Sequence, residues 1–181
     1  MTRRLTAVEL DDLLAALTPQ QAAAIKQHIP TAWADQIRAA QHHSVALMQK
    51  AEQSPVRYLP TSGVDEWLRL GLLDTLVTWV DGNTRTCLHM PNPYSPEPVW
   101  SCAWKPGLVV CTYCLHLFKL VGDADKVCDC CGRTVTGIEN GDGIFTLTVW
   151  IGVLAYQAGA CEDCYQDSAL EQSTDPDKRT A

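Results

Sequence analysis

The chain has 181 residues, of which 46% are hydrophobic and 19% charged, an ordinary globular composition that can form a buried core. Its formal net charge of -7 and its pI near 5.1 disfavour autonomous binding of DNA or RNA, because that affinity comes largely from Lys and Arg side chains that displace counterions. The length predicts one domain, or a small domain joined to a smaller one.

Two helices are predicted at the start of the chain, which opens an expected helical domain over residues 1–84. Thr6 and Glu9 have capping-box spacing before a run of leucines on one helical face. Thr18 and Gln21 repeat the signal, with a proline in the first turn of the second helix.

Two more helices are predicted in the same domain. Thr31 begins a third helix, whose apolar residues recur at spacings of four and three from Trp33 onwards. Ser62 and Asp65 are expected to cap a fourth helix, which is apolar almost all round and stops at the Asp-Gly-Asn that begins at Asp81. We expect this fourth helix to be the central one of the domain.

The rest of the chain is expected to form a cysteine-rich zinc-binding domain at 85–166 and a polar, disordered tail at 167–181. The sequence PNPYSPEP at 91–98 predicts an extended loop, because proline disfavours helix. Short β-like runs follow at 108–110, 134–136 and 145–156. The fold class predicted is therefore α+β, with a helical part followed by a loop-rich, zinc-stabilised part that contains short antiparallel strands.

One uncharged stretch, from Gly143 to Cys161, has the length of a membrane helix. Its threonines and glycines, its β-branched and aromatic content and its acidic flanks favour buried strands instead. We therefore expect no membrane association.

The N-terminal sequence MTRRLTAVELDDLL lacks the apolar run of a signal peptide, because Glu9, Asp11 and Asp12 interrupt it. We therefore expect a cytoplasmic protein. Disulfides rarely persist in that compartment, and nine cysteines, an odd number, fit a disulfide framework poorly. Metal ligation is the better explanation of the cysteine content.

Four short ligand pairs predict zinc binding. Three are Cys-x-x-Cys pairs, in which a tight turn brings both sulfurs onto one ion, and the fourth is Cys-Leu-His. The eight predicted ligands are Cys87, His89, Cys111, Cys114, Cys128, Cys131, Cys161 and Cys164. Two zinc ions are expected, with a single ion as the alternative.

The sequence leaves the grouping of these ligands open. Local pairing would place the first and second pairs on one ion and the third and fourth on the other. Cross-braced pairing would join the first with the third and the second with the fourth, and a third option omits Cys87 and His89. Cys102 is interpreted as a small buried apolar residue and His116 as a surface or half-buried side chain. Cys130 is interpreted as a bystander within its turn; the alternative is that it replaces Cys128 or Cys131 as a ligand, or joins a cluster with bridging thiolates.

The second half of the cysteine-rich part resembles a treble clef, or more loosely a zinc ribbon, over residues 110–172. The resemblance lies in the CDCCG knuckle at Cys128–Gly132, a hairpin to follow, and a CEDC that opens a helix at Cys161. It implies zinc binding but no particular function. The wider layout resembles uncharacterised zinc-ribbon-like proteins of actinobacteria and their phages.

Signals for catalysis are weak. The chain has no HExxH, and Met90 and Pro91 follow His89 where a zinc deaminase needs a glutamate. We therefore expect a non-catalytic zinc-binding protein, a regulator or adaptor that acts through a protein partner. The alternatives are a nucleic-acid-associated zinc-ribbon factor and a thiol redox sensor. The former would use a basic patch of Lys105, Lys119, Lys126 and Arg133.

Overall fold

A computed structural model of the chain describes residues 4–52, 61–94 and 96–172 and confirms the α+β class, with helices preceding a five-stranded sheet. The helices are α1 (Ala7–Ala16), α2 (Pro19–Gln27), α3 (Thr31–Glu52), α4 (Glu66–Val80), α5 (Glu162–Gln166) and α6 (Ala169–Gln172). The strands are β1 (Arg85–Thr86), β2 (Val99–Cys102), β3 (Leu108–Cys111), β4 (Ile144–Ile151) and β5 (Leu154–Cys161).

Both predicted capping boxes are confirmed. The N–H of Glu9 donates to the Thr6 hydroxyl at 3.3 Å, and the Thr6 N–H donates to the Glu9 carboxylate at 2.9 Å. Thr18 and Gln21 make the same two hydrogen bonds at 3.2 and 2.9 Å. These bonds satisfy N–H groups that the first turn of a helix leaves without partners, which is why the two helices start where the sequence predicts.

The start of α4 differs from the prediction. Asp65 occupies the N-cap position, but its side chain makes no capping bond. Its carboxylate instead accepts the hydroxyl of Ser168 at 2.5 Å and the N–H of Ala169 at 3.2 Å, which anchors the first residues of α6. Residues 167–172, expected as the beginning of a polar tail, are consequently ordered, with Ser168 buried. Residues 173–181 lie outside the described residues.

The sheet is mixed, and it is larger than the predicted set of short antiparallel strands. Its order is β1-β3-β2-β5-β4. β2 pairs with β3 and β4 pairs with β5 in antiparallel fashion, whereas the β1–β3 and β2–β5 pairs are parallel. The expected strand at 134–136 is absent, because Thr134 forms only an isolated bridge with Val127. The backbone hydrogen bonds of this region join it to residues 126–128 instead: the N–H of Val135 donates to the carbonyl of Lys126, and the N–H of Cys128 donates to the carbonyl of Arg133.

The uncharged stretch from Gly143 to Cys161 forms the β4–β5 hairpin, as the buried-strand interpretation predicted. Gly152 turns the chain with a φ of 60°. Across the described ranges, no helix has both the length and the apolar character that crossing a bilayer requires.

One hydrophobic core joins α4 to one face of the sheet. Leu68, Leu72 and Trp79 of α4 pack there against β2 to β5, with Val99 among the fully buried residues. The boundary expected near residue 84 therefore separates elements that pack together in space. On its other side α4 contacts α1, where Arg69 pairs with Asp11 at 3.0 Å.

At Gly71, α4 approaches the sheet closely. A Cβ there would lie 2.8 Å from Cζ of Tyr156, a buried residue, and closer still to its hydroxyl. We predict that Gly71→Ala lowers the free energy of unfolding by about 1–3 kcal/mol, because overpacking outweighs the gain in helix propensity. Urea unfolding of the zinc-loaded protein measures this.

The matched variant adds Tyr156→Phe, which removes the nearest atom. Part of the lost stability should return, relative to Tyr156→Phe alone. A Gly71→Ala variant as stable as the parent would contradict this packing.

Candidate metal centres

The first centre consists of Cys87, His89, Cys111 and Cys114, whose ligand atoms all lie within 4.8 Å of one another. Cys87 and His89 lie just after β1, and Cys111 is the last residue of β3. Cys114 lies in the 3-10 turn that follows. Because β1 and β3 are parallel neighbours, their C-terminal ends lie at the same end of the sheet and bring both ligand pairs together there.

The distances within this centre fit zinc. The sulfurs of Cys87 and Cys111 are 3.8 Å apart, and Nδ1 of His89 lies 3.4 and 3.3 Å from the sulfurs of Cys111 and Cys114. A tetrahedron with Zn–S bonds of about 2.3 Å and a Zn–N bond of about 2.1 Å has edges of about 3.8 Å and about 3.6 Å. A disulfide would need sulfurs about 2.05 Å apart. The arrangement therefore suits a shared ion and not a covalent bridge.

The second centre consists of Cys128, Cys131, Cys161 and Cys164, again with all ligand atoms within 4.8 Å. Cys161 ends β5 and Cys164 lies in the first turn of α5. The sulfurs of Cys131 and Cys161 are 3.9 Å apart. Each centre thus offers four protein ligands of the type that zinc prefers, and each can hold one zinc ion.

The two centres are built alike at their strand ends. Cys111 and Cys161 each end a strand and cap the helical turn that follows, with φ/ψ of -73°/165° and -68°/166°. The N–H of Cys111 donates to the sulfur of Cys87 at 3.5 Å, and the N–H of Cys161 donates to the sulfur of Cys128 at 3.3 Å. The same hydrogen bond therefore joins the two ligand pairs of each centre.

The two knuckles also share a backbone feature. One knuckle is the turn that carries Cys87 and His89, and the other is the turn that carries Cys128 and Cys131. In both, the residue directly after the second of the two ligands has a positive φ, 49° at Met90 and 74° at Gly132. Their N–H groups donate to the carbonyls of Cys87 and Cys128, both at 2.9 Å. The predicted glycine turn after the CDCC run is thus present, and methionine adopts the corresponding conformation in the first centre.

Backbone donors favour one thiolate in each centre. Burial of Cys87 opposes its ionisation, but hydrogen bonds led by the N–H of Cys111 lower the pKa of Cys87 to about 7. Burial opposes ionisation of Cys128 as well, and N–H groups led by those of Cys131 and Cys161 lower the pKa of that thiol to about 7.

The last cysteine of each centre responds in the opposite way. Burial and the neighbouring thiols raise the pKa of Cys114 to about 11, and the same two causes raise the pKa of Cys164 well above its ordinary value. Each centre therefore contains one thiol whose pKa is lowered and one whose pKa is raised. A divalent cation supplies the charge that lets the remaining thiols ionise together.

The centres lie at opposite ends of the sheet. Cys111 is opposite Val99 in β2, and Val99 is opposite Leu154, the first residue of β5. Cys161 lies seven residues further along β5, which corresponds to about 23 Å along the strand. The geometry matches the local pairing of ligands and not the cross-braced one.

The remaining candidates lie outside both groups of ligands. Cys102 is buried beside Trp100, and burial raises the pKa of its thiol to about 12, as suits a small apolar core residue. Cys130 and His116 are solvent-exposed.

Two supports of the second centre were not foreseen. The carboxylate of Asp129, between two knuckle cysteines, accepts the N–H of Gly159 in β5 at 2.6 Å. Arg133 bridges Asp142 and Asp163 at 2.8 and 3.3 Å, which ties the knuckle to α5. These partners lie 9 to 30 residues apart, so no local pattern in the sequence marks them.

Comparison with known proteins adds no relative to this picture, since no family model, curated protein or solved structure matches the chain.

Substitution of single ligands should separate the two centres. We predict that Cys111→Ser and Cys161→Ser each reduce bound zinc from two ions to one, because each variant lacks one ligand and the other centre lies at the opposite end of the sheet. Native mass spectrometry counts the ions. Cys130→Ser is the matched control, the same chemical change beside a ligand, and it should retain two. If Cys130→Ser lost a zinc ion while Cys131→Ser kept both, Cys130 and not Cys131 would be the ligand, which would contradict this ligand set.

The turn after the second knuckle should require glycine. No atom lies within 4 Å of a Cβ built at Gly132, so Gly132→Ala tests backbone strain alone. We predict a loss of about 1 kcal/mol in unfolding free energy and easier zinc removal by a competing chelator. Gly122 has a similar φ of 69° and the same open space, away from the ligands. Gly122→Ala should lose similar stability without easier zinc removal, and equal zinc loss in both variants would refute the prediction.

Proposed function

We propose that this is a non-catalytic zinc-binding protein, in which two structural zinc ions hold a binding surface for a protein partner. The observation that carries the proposal is the closed donor set of each centre. Four protein ligands satisfy a tetrahedral ion, which leaves no position for a reacting water or substrate. Catalytic zinc sites usually have three protein ligands and an open position.

The order of elements around the second centre supports a treble-clef arrangement. The knuckle at Cys128–Gly132 is followed by the β4–β5 hairpin, and α5 then carries the last ligand. In this chain the hairpin also pairs with β2 and belongs to a larger sheet. The arrangement serves the proposed role, because zinc stabilises a loop-rich region on which side chains can be displayed.

The first centre displays such side chains. Leu88, between two ligands, is 99% exposed, and Met90, directly after them, is 74% exposed. Tyr113, between the ligands of the second pair, is 88% exposed. Apolar side chains on the loops of one centre are the composition expected of an interaction site. We call Leu88, Met90 and Tyr113 the knuckle surface and propose that it contacts the partner.

The alternative basic patch receives no such support. Lys105 donates to the carbonyls of Leu117 and Lys119 at 2.7 and 2.9 Å, and Lys126 pairs with Asp123 at 3.0 Å. Arg133 is engaged by two carboxylates of the second centre. Three of the four proposed cations therefore have partners within the chain. The redox-sensor alternative and the cytoplasmic location stay predictions.

Removal of zinc tests the structural role. We predict that a strong chelator unfolds the sheet region, because structural zinc contributes on the order of 10 kcal/mol to the folding of such units. Loss of native Trp fluorescence together with a changed circular dichroism spectrum would show this, and added zinc should reverse it. A chain that keeps its sheet signal and its cooperative unfolding without metal would contradict a structural role.

The knuckle surface is tested by substituting Leu88, Met90 and Tyr113 with serine. We predict that proteins cross-linked to the zinc-loaded parent in a host lysate are lost with this variant, which should still bind two zinc ions. The control replaces Val8 and Ile25, exposed apolar residues of α1 and α2, and should retain the cross-linked proteins. Equal capture by both variants would exclude the knuckle surface as the contact.

A further inference from the structure

A cavity of about 360 Å³ lies on the face of the sheet opposite α4. Its floor includes Thr146 of β4 and Gly159 of β5, which alternate with the residues packed against α4 and so point to the other side. A Cβ at Gly159 would lie 2.7 Å from Cγ2 of Ile144 and 3.4 Å from Oδ2 of Asp129, so the glycine lets these two lining side chains lie close to the sheet. The volume is at the lower end of the range for small-molecule sites.

Most of the cavity wall is apolar. Trp104, Leu120, Val127 and Ile144 line it. The indole N–H of Trp104 donates to the carbonyl of Phe118 at 2.9 Å, so the ring has a fixed orientation. The wall therefore suits a compact aromatic or branched aliphatic group.

The polar groups of the cavity are mostly carboxylates. Asp125, Asp129 and Glu139 line it, with Lys126 as the single cation among the lining residues. Lys126 already pairs with Asp123. Asp129 is held by the N–H of Gly159, and within the described part of the chain no Lys or Arg forms an ion pair with it.

The surroundings add to this negative charge. Residues 121–167 hold eight Asp and Glu side chains against one Lys and one Arg. The second centre lies beside the cavity, because Asp129 follows its ligand Cys128, and four thiolates around one zinc ion leave a net negative charge. A cation that enters the cavity would therefore be attracted by the near carboxylate and by the wider field.

From the fixed indole, the apolar wall and the Asp129 carboxylate without a basic partner, we infer that this cavity binds a small organic cation. The ligand is a protonated amine or guanidinium with a compact apolar body, which packs beside Trp104 while its charged end meets Asp129. This site is separate from the knuckle surface and does not depend on it. The cation can be a free amine or a basic side chain of another protein.

The test titrates the zinc-loaded full chain with three probes of similar size, namely benzylammonium, benzyl alcohol and benzoate. The indole N–H resonance of Trp104, assigned with Trp104→Phe, reports on the cavity. We expect saturable shifts with benzylammonium, with a dissociation constant about ten-fold below that of benzyl alcohol. The factor of ten is about the amount by which a hydrogen bond between charged groups exceeds one to a neutral hydroxyl. Benzoate should cause no shift. Equal binding of the cation and the alcohol, or no shift with any probe, would overturn the inference.

Asp129→Asn removes the charge and keeps an oxygen that can accept the N–H of Gly159. Because Asp129 also supports the second centre, native mass spectrometry first establishes that the variant holds two zinc ions; it should then bind benzylammonium about ten-fold more weakly, with benzyl alcohol unchanged. Glu66→Gln, at an exposed position in the first turn of α4, is the control of equal charge change and should bind as the parent does. An unchanged dissociation constant in Asp129→Asn would remove the carboxylate from the site.

A second arm distinguishes the two sources of the cation. Shifts with lysine capped at both termini would indicate a side chain of another protein, whereas shifts with benzylammonium alone would indicate a free amine.

Discussion

The constraint that organises the structure is the gathering of eight metal-ligating groups into two small volumes. Within each centre the ligand atoms lie no more than 4.8 Å apart, and burial together with the neighbouring thiols raises the pKa of one cysteine in each, Cys114 and Cys164. Zinc bound in both centres would supply the missing charge and join segments that are distant in sequence. In the first centre the sulfurs that meet are 24 residues apart, and in the second the gap is 30 residues or more.

These two junctions lie where the sheet most needs them. β1 has two residues and β2 and β3 have four each, so their hydrogen bonds alone would hold them weakly. The first centre joins the ends of β1 and β3, and the second fastens the knuckle to the end of β5. Between the centres, the face that packs on α4 supplies the hydrophobic burial. Metal and apolar core therefore stabilise different parts of the same sheet.

Local chemistry was predictable from the sequence, and long-range pairing was not. The capping boxes at Thr6 and Thr18 lie within four residues each, and so do the ligand spacings, which is why both could be predicted. The parallel pairing of β2 with β5, and the bonds from Asp65 to Ser168, join residues more than 50 positions apart. Asp65 has the residue type and position of a helix N-cap. Only the fold shows that its carboxylate instead accepts hydrogen bonds from Ser168 and Ala169, at the start of α6. The sequence also left the grouping of the eight ligands open, because spacing does not say which strand ends share an edge.

The geometry of the two knuckles would make the proposed contact at the knuckle surface depend on metal binding. One knuckle has Cys-x-His and the other Cys-x-x-Cys, yet both end in a residue with positive φ and both receive the N–H of a strand-ending cysteine. In the first centre, a turn that directs Cys87 and His89 inward leaves Leu88 between them with nowhere to point but outward. The exposure of that side chain therefore follows from the turn that brings the two ligands together. A partner that contacts Leu88 would bind the metal-bound conformation of the loop. The affinity of that partner would therefore depend on zinc, although the partner itself makes no contact with the ion.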